Sequence, residues 1–194
     1  MKTLSEIRDA LEKRGYEAHV FTCAEAVDFV SAAAKAAANV GWGGSETVKD
    51  LGLRDAIVAL GKEIRDHRAD CDLFLLSANA LLEDGRIVNI DGTGNRIAAS
   101  IYGPKRVIYL IGRNKIVSGG VDDAVLRIRR EACPRNAVRL GRKTPCAANA
   151  CPALAGNPVG CASPDRMCKV TAVFDAPPSR TPTAVVLIDE NLGY

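Results

Sequence analysis

Along this chain, short continuous apolar runs alternate with segments whose apolar positions recur at helical spacing, and the last third breaks that rhythm. Two helices are marked by their starts. Thr3-Leu4-Ser5-Glu6 and Thr22-Cys23-Ala24-Glu25 both have capping-box form, in which hydroxyl and carboxylate satisfy orphan amides of the first turn. The first helix is expected to run to about Arg14 and to stop at Gly15, with Glu17 to Phe21 a short extended link. The second, about Ala24 to Ala38, is rich in alanine, so another element can approach it closely.

The period then changes. Asn39 to Trp42 reads as a short buried strand followed by the loop Gly43 to Thr47. Helical pattern returns from about Thr47 to His67, interrupted near Gly52 and Gly61. Cys71 to Ser77 is a second strand, too apolar to have a wet face; Ile87 to Ile90 is a third and Arg106 to Ile111 the strongest. Helices are expected at about Asn95 to Tyr102 and Val121 to Ala132. In the latter Ser118 is a candidate cap, Asp122 and Asp123 sit in the first turn, and Arg127, Arg129 and Arg130 lie near the end, an order that suits the helix dipole. Val170 to Phe174 and Thr183 to Ile188 read as two strands joined by the turn-rich Pro177 to Pro182. Apolar strands alternating with helices imply an α/β fold with a mostly parallel central sheet and helices on both faces. One domain over 1–194 is expected, with an irregular cysteine-rich segment at 137–168 inside it.

Composition narrows the field. With 47% hydrophobic and 25% charged residues in 194, the chain can build a full core. Lysine and arginine exceed the acids by 26 to 23, too small an excess to point to nucleic acid, and four Phe and four Tyr offer few platforms for stacking bases. No apolar run approaches the roughly 18 residues that cross a bilayer. The opening Met1 to Glu6 begins an amphipathic helix rather than a signal peptide, so a cytoplasmic location is expected, with no membrane partner. Oligomeric state is left open, a homo-oligomer included.

In open parallel sheets, ligands collect at the carboxyl ends of the strands. Four polar or glycine-rich groups follow apolar strands directly: Gly43-Gly44-Ser45 with Thr47; Ser77 and Asn79; Asp91-Gly92 with Gly94-Asn95-Arg96; and Asn114-Lys115. Paired glycines let a backbone bend and present amides, and Ser45 and Thr47 add hydroxyls at a helix start, a combination suited to phosphate or carboxylate. Arg96 is a candidate bidentate partner and Lys115 a point charge for a small anionic ligand. The plainer alternative is that the glycines only form turns and the polar groups only cap helices. Gly92 and Gly94 resemble part of a dinucleotide fingerprint, but Ile97 stands where its third glycine belongs and no acid follows ~20 residues on, which argues against a nicotinamide site. A Walker loop is absent.

Catalytic candidates are few. His19 and His67 are the two histidines, one in the extended link and one at a charged helix end, and both read as bystanders. Glu83 and Asp84 lie in a turn, where carboxylates are usually solvated; Asp91 is better placed, with capping as its equal alternative.

Seven cysteines are the compositional anomaly, and without an export signal they suit a thiol or metal role better than a disulfide framework. Cys23 and Cys71 read as small core residues. Cys146, Cys151, Cys161 and Cys168 crowd one irregular stretch and could surround zinc or an iron–sulfur cluster, although their spacing matches neither a zinc ribbon nor a ferredoxin run. Two disulfides or free thiols are the competing readings. Cys133, at a helix end, reads as a bystander.

Taken in order, Gly43-Gly44-Ser45 with Thr47, Ser77 to Ala80 with Asp84-Gly85, Asp91-Gly92 with Gly94-Asn95-Arg96, Gly112 with Asn114-Lys115, and Asp189 to Tyr194 resemble the lactate-utilisation (LUD) domain family over nearly the whole chain. The resemblance implies a fold like that of ribose-phosphate isomerases, glucosamine-phosphate deaminases and CoA transferases. It also implies a link to bacterial lactate oxidation, often beside iron–sulfur redox subunits. Thr144-Pro145-Cys146 and Cys161 to Cys168 fit the family's cysteine segment, whereas the nine residues between Cys151 and Cys161 depart from a nearly adjacent pair. Two functions follow from different classes: an accessory, anion-binding subunit of lactate-type redox metabolism, or an enzyme of phosphosugar-isomerase or CoA-transferase type.

Overall fold

The computed structural model describes residues 1–66, 69–157 and 160–194. The first helix, α1 (Leu4–Lys13), opens with the expected capping box, Thr3 Oγ1 accepting from the Glu6 amide and the Glu6 carboxylate from the Thr3 amide. The stretch read as an extended link is a strand, β1 (Glu17–Phe21). The second capping box starts α2 (Cys23–Ala36), which leads to β2 (Asn39–Trp42). Two short helices follow, α3 (Glu46–Asp50) and α4 (Leu53–Ala59). The helical reading then fails: Glu63–Asp66 is a strand, β3. His67 lies outside the described residues.

Next come β4 (Leu73–Leu76), a three-residue β5 (Ala80–Leu82), β6 (Ile87–Asp91), α5 (Asn95–Ile101), β7 (Arg106–Gly112) and β8 (Ile116–Val117). The helix expected to end at Ala132 does not stop there. It runs as α6 (Val121–Arg127), widens into a π-helical turn at Ile128–Ala132, and continues as α7 (Cys133–Arg139). Pro134 has no amide to donate to the preceding turn, and the wider turn takes up the break without ending the helix. Gly120, not Ser118, stands at the helix start, its amide held by the Asp123 carboxylate at 2.8 Å. The chain closes with β9 (Val170–Phe174) and β10 (Thr183–Ile188).

Six strands form the central sheet in the order β1-β10-β7-β4-β2-β3, every pair parallel. One face packs under α2, α3 and α4 through Val30, Val48 and Ile57 against Leu73, Leu75, Ile108, Leu110 and Val186. The other packs Phe74, Leu76, Val107, Tyr109, Val185 and Leu187 against Ile7 and Leu11 of α1 and Ala99 of α5. That second face also carries a small sheet, β8-β5-β6-β9, antiparallel apart from the β5–β8 pair. Leu81, Ile87 and Phe174 are its contribution to the shared core, and its far side is covered by Ala124 and Ile128. The two last strands, joined by the turn-rich Pro177 to Pro182, therefore serve different sheets. Among the described residues, no helix is long and apolar enough to cross a membrane.

Phe74 lies fully buried at the middle of the sheet face that meets α1 and α5. Phe74→Ala is expected to remove about 3–5 kcal/mol of stability, read as a lowered denaturant midpoint at unchanged slope.

Candidate functional site

The carboxyl ends of β2, β4 and β7 point to one side of the central sheet, and β6 of the small sheet ends beside them. Their loops enclose a polar cavity of about 520 Å³. Of the thirteen residues expected from the sequence to bind an anion, all but Thr47, Gly94 and Asn114 line it. Glycine is required where the walls meet. A Cβ on Gly43 would stand 2.9 Å from Cγ of Arg96, and one on Gly92 3.2 Å from the Met167 carbonyl. The first close approach seats Arg96 over the β2 loop; the second admits the cysteine-rich segment as a wall.

Lys115 is the electrostatic centre. Although cationic by type, it is only 3% exposed. Its Nζ donates to Thr47 Oγ1 at 2.6 Å and to Ser77 Oγ at 2.8 Å, tying the start of α3 and the end of β4 to the turn after β7. No carboxylate among the described residues forms an ion pair with it. Loss of hydration, reinforced by the nearby Arg127 and Arg96 guanidinia, lowers its pKa to about 7, with Asp50 acting weakly in the other direction.

Several expected ligands turn out to be joints. Asp91 accepts the Arg96 amide at 3.1 Å and lies 3.6 Å from its Nε, so it caps α5 and orients the guanidinium. Arg96 Nη2 donates to the Ile90 carbonyl at 2.8 Å and to Asn79 Oδ1 at 3.3 Å, which leaves Nη1 without a partner among the described residues. Asn79 is in turn gripped by Asn89, whose buried side chain accepts the Asn79 amide at 2.8 Å. Asn114 uses its amide group to hold the chain end, accepting from the Leu192 amide at 3.2 Å and donating to the Gly193 carbonyl at 3.2 Å. Thr47 lies behind Lys115 and donates to the Leu192 carbonyl at 3.1 Å.

Sequence reasoning missed other participants. Arg127, assigned only to the helix dipole, reaches down from α6 to the carbonyls of Asn79 and Asn114 at 2.7 and 2.9 Å, bracing two loops at once. Burial lowers its pKa. The π-helical turn carries α7 over the cavity, so that Cys133, Asn136 and Arg139 line it. Arg142, Arg166 and Lys169 complete the rim, and Tyr194 closes it, its hydroxyl accepting from Arg139 Nε at 2.7 Å. Six basic residues face the cavity against the acids Glu46, Asp91 and Asp165. No local pattern marks these groups, since they sit in a helix extension and in the irregular segment.

Cys133, read as a bystander, lies with its Sγ 3.2 Å from that of Cys168. Their shared hydrogen bond favours the thiolate on Cys168, helped by Arg129 and Arg166, while the same contact and burial push the Cys133 thiol up. Cys146 contacts Thr144 Oγ1 at 3.3 Å, and Cys151 and Cys161 are half-buried. Among the described residues, no group of three or more His, Cys, Asp or Glu side chains converges to hold a metal. A cysteine pair does not make the four-ligand cage of a structural zinc or an iron–sulfur cluster, so no chemistry is routed through one here. His19 and Glu83 stand away from the cavity: His19 Nε2 meets Glu17 at 3.1 Å, and Glu83 accepts from Ser118 at 2.8 Å and from the Lys2 amide at 2.9 Å.

Comparison with known proteins adds the following. The profile of the LUD domain matches residues 4–187. A solved structure of a DUF162 family protein from Deinococcus radiodurans superposes with a TM-score of 0.55 at 17% identity, covering 96% of this chain and 99% of that one, which is a likeness of fold. No curated protein matches.

Two outcomes are expected from this geometry. Because the unfolded chain keeps the Lys115 proton up to its ordinary pKa of 10.5 and the native chain releases it near 7, native stability gains from this residue as pH rises between those values. The stability difference between the parent and Lys115→Met should climb across that window, by at most about 1.4 kcal/mol per pH unit; a flat difference in denaturant titrations would mean that the amine stays charged. At neutral pH, iodoacetamide should alkylate Cys168 well before Cys133, as followed by peptide mass mapping.

Proposed function

The chain belongs to the LUD domain family, and we propose that its strand-end cavity holds a small anionic metabolite, a carboxylate or phosphate ester, as part of organic-acid metabolism of the lactate type. The observation that carries this reading is Lys115, buried without a carboxylate partner at the base of a cavity with a basic excess. An isolated buried ammonium is unfavourable, and an entering anion supplies the missing countercharge. Among the described residues, the side chains of Arg142 and Lys169 have no partner, and they stand at the rim, where they draw such an anion inward. Cavity volume suits a small metabolite better than a large cofactor.

The enzyme reading, of isomerase or CoA-transferase type, asks for a carboxylate that faces the cavity free of other duties. Asp91 is engaged with Arg96, Glu46 pairs with Arg139 at 3.5 Å, Asp165 accepts the Lys143 amide at 3.1 Å, and Glu83 lies outside the lining. This favours binding over acid–base or acyl-transfer chemistry by a carboxylate.

The test is a thermal-shift and calorimetric series with lactate, small dicarboxylates and phosphate esters. At a ligand concentration one-hundredfold above Kd, binding adds about 2.7 kcal/mol and raises Tm accordingly. Affinity for a non-carbonyl anion such as lactate should fall as pH rises above about 7, where Lys115 loses its charge. Arg142→Ala should weaken binding several-fold. If no anion shifts Tm, the proposal is wrong.

A further inference from the structure

We propose that Lys115 is an imine-forming amine, its Nζ attacking the carbonyl carbon of a small 2-oxo acid held in the strand-end cavity; the inference rests on the anion-binding reading above. Its basis is a count of hydrogen bonds. The Thr47 hydroxyl gives its own proton to the Leu192 carbonyl at 3.1 Å, and the Ser77 hydroxyl directs its proton at the Ala78 carbonyl at 3.4 Å. Both oxygens are therefore left to accept, and each accepts from Lys115 Nζ, at 2.6 and 2.8 Å. Two N–H bonds are thus used, which is the complement of a neutral amine. An ammonium would carry a third N–H with no acceptor among the described residues. The remaining direction at nitrogen, taken by a lone pair in the neutral form, is unclaimed by those residues, and Lys115 lines the cavity.

The surroundings agree. Positive Arg127 and Arg96 are the nearby charges that, with burial, favour the neutral form, and a desolvated lysine beside other cations is an activated nucleophile. Arg96, which lines the same cavity and acts on Lys115, has its Nη1 available to the carboxylate of a 2-oxo acid, whose carbonyl carbon is adjacent. Attack forms the C–N bond with the nitrogen lone pair, and the carbonyl π pair takes up a proton to give a carbinolamine. Its hydroxyl then leaves with the second amine proton as water, and the product is a C=N bond to Lys115. No oxidant or reductant is required. Ser77 Oγ, within hydrogen-bond distance of Nζ, is placed to relay the proton.

The experiment is reductive trapping on the full chain. Protein is incubated with pyruvate and sodium borohydride, which delivers hydride to the imine carbon and fixes it as a secondary amine, and lysine peptides are mapped by mass spectrometry. The adduct is expected on Lys115 in roughly tenfold or greater excess over exposed lysines such as Lys105, because burial favours the neutral amine at Lys115. It should rise as pH increases through about 7 and be suppressed by excess lactate, which has no carbonyl. Adducts spread evenly over surface lysines would overturn the inference. Lactate raising Tm while no adduct forms at Lys115 would also overturn it and leave the anion site standing; neither a shift nor an adduct would remove both. Peptide mapping of the parent chain does not depend on whether a Lys115 variant folds.

Discussion

The last strand of the chain must insert between two earlier ones before the central sheet is complete. β10 pairs with β1 on one side and β7 on the other, with Glu17 to Phe21 facing Ala184 to Ile188 and Val107 to Gly112 facing Thr183 to Ile188. Without it β1 has no partner, and Val185 and Leu187 are missing from one core while Ala184, Val186 and Ile188 are missing from the other. The same insertion fixes where the chain goes next. Leaving the carboxyl end of β10, residues 189–194 can only cross the strand ends, and there the Leu192 carbonyl meets Thr47 and the Gly193 amide meets Asp50 at 2.7 Å. A Cβ on Gly193 would lie 2.7 Å from Thr47 Oγ1, so the crossing is close. Completion of the sheet and of the cavity is one event.

That linkage explains how a lysine can be tolerated in the interior. A buried ammonium with no counterion is strongly unfavourable, and the usual remedies are a paired carboxylate or loss of the proton. This chain supplies hydroxyls, not carboxylates, and orients their protons elsewhere, so the environment selects an uncharged amine. Arg127 strengthens the effect twice. Its charge disfavours a second cation nearby, and its hydrogen bonds to the Asn79 and Asn114 carbonyls stop the loops from relaxing to hydrate Lys115. The lowered pKa at this position follows from how its neighbours are held.

How far the fold was legible follows from where each strand sits. β4, β7 and β10 are buried on both faces and spell unbroken apolar runs, so they stand out. β1 and β3 are the edges, and Glu17, His19, Glu63 and Arg65 interrupt their apolar character, which is why one reads as a link and the other as helix. The site loops were visible because a parallel sheet puts its carboxyl ends together, so polar residues following apolar runs converge without any motif. Their roles were not visible. Asn79, Asn114 and Arg127 act through partners 10 to 79 positions away, many of them backbone carbonyls that no residue type reveals. Cys133 was obscured by the same difficulty, as its partner lies 35 residues on and the helix that presents it passes through a π-helical turn.

That turn has a further structural consequence. A regular helix would have to stop or kink at Pro134, and the residues beyond it would leave the cavity. Widening by one residue per turn at Ile128 to Ala132 avoids the missing hydrogen bond and rotates the following face, bringing Cys133, Asn136 and Arg139 onto the lining. Arg139 then reaches both Glu46, at 3.5 Å, and the Tyr194 hydroxyl, joining α7 to the start of α3 and to the chain end across the cavity mouth. The Cys133–Cys168 contact lies on the other side, where the irregular segment passes so near Gly92 that a Cβ there would press on the Met167 carbonyl at 3.2 Å. The floor of the cavity, with Lys115, is thus built on strand ends and the turn after β7, and α7 with Pro164 to Met167 stands over it as a wall added from outside the sheet.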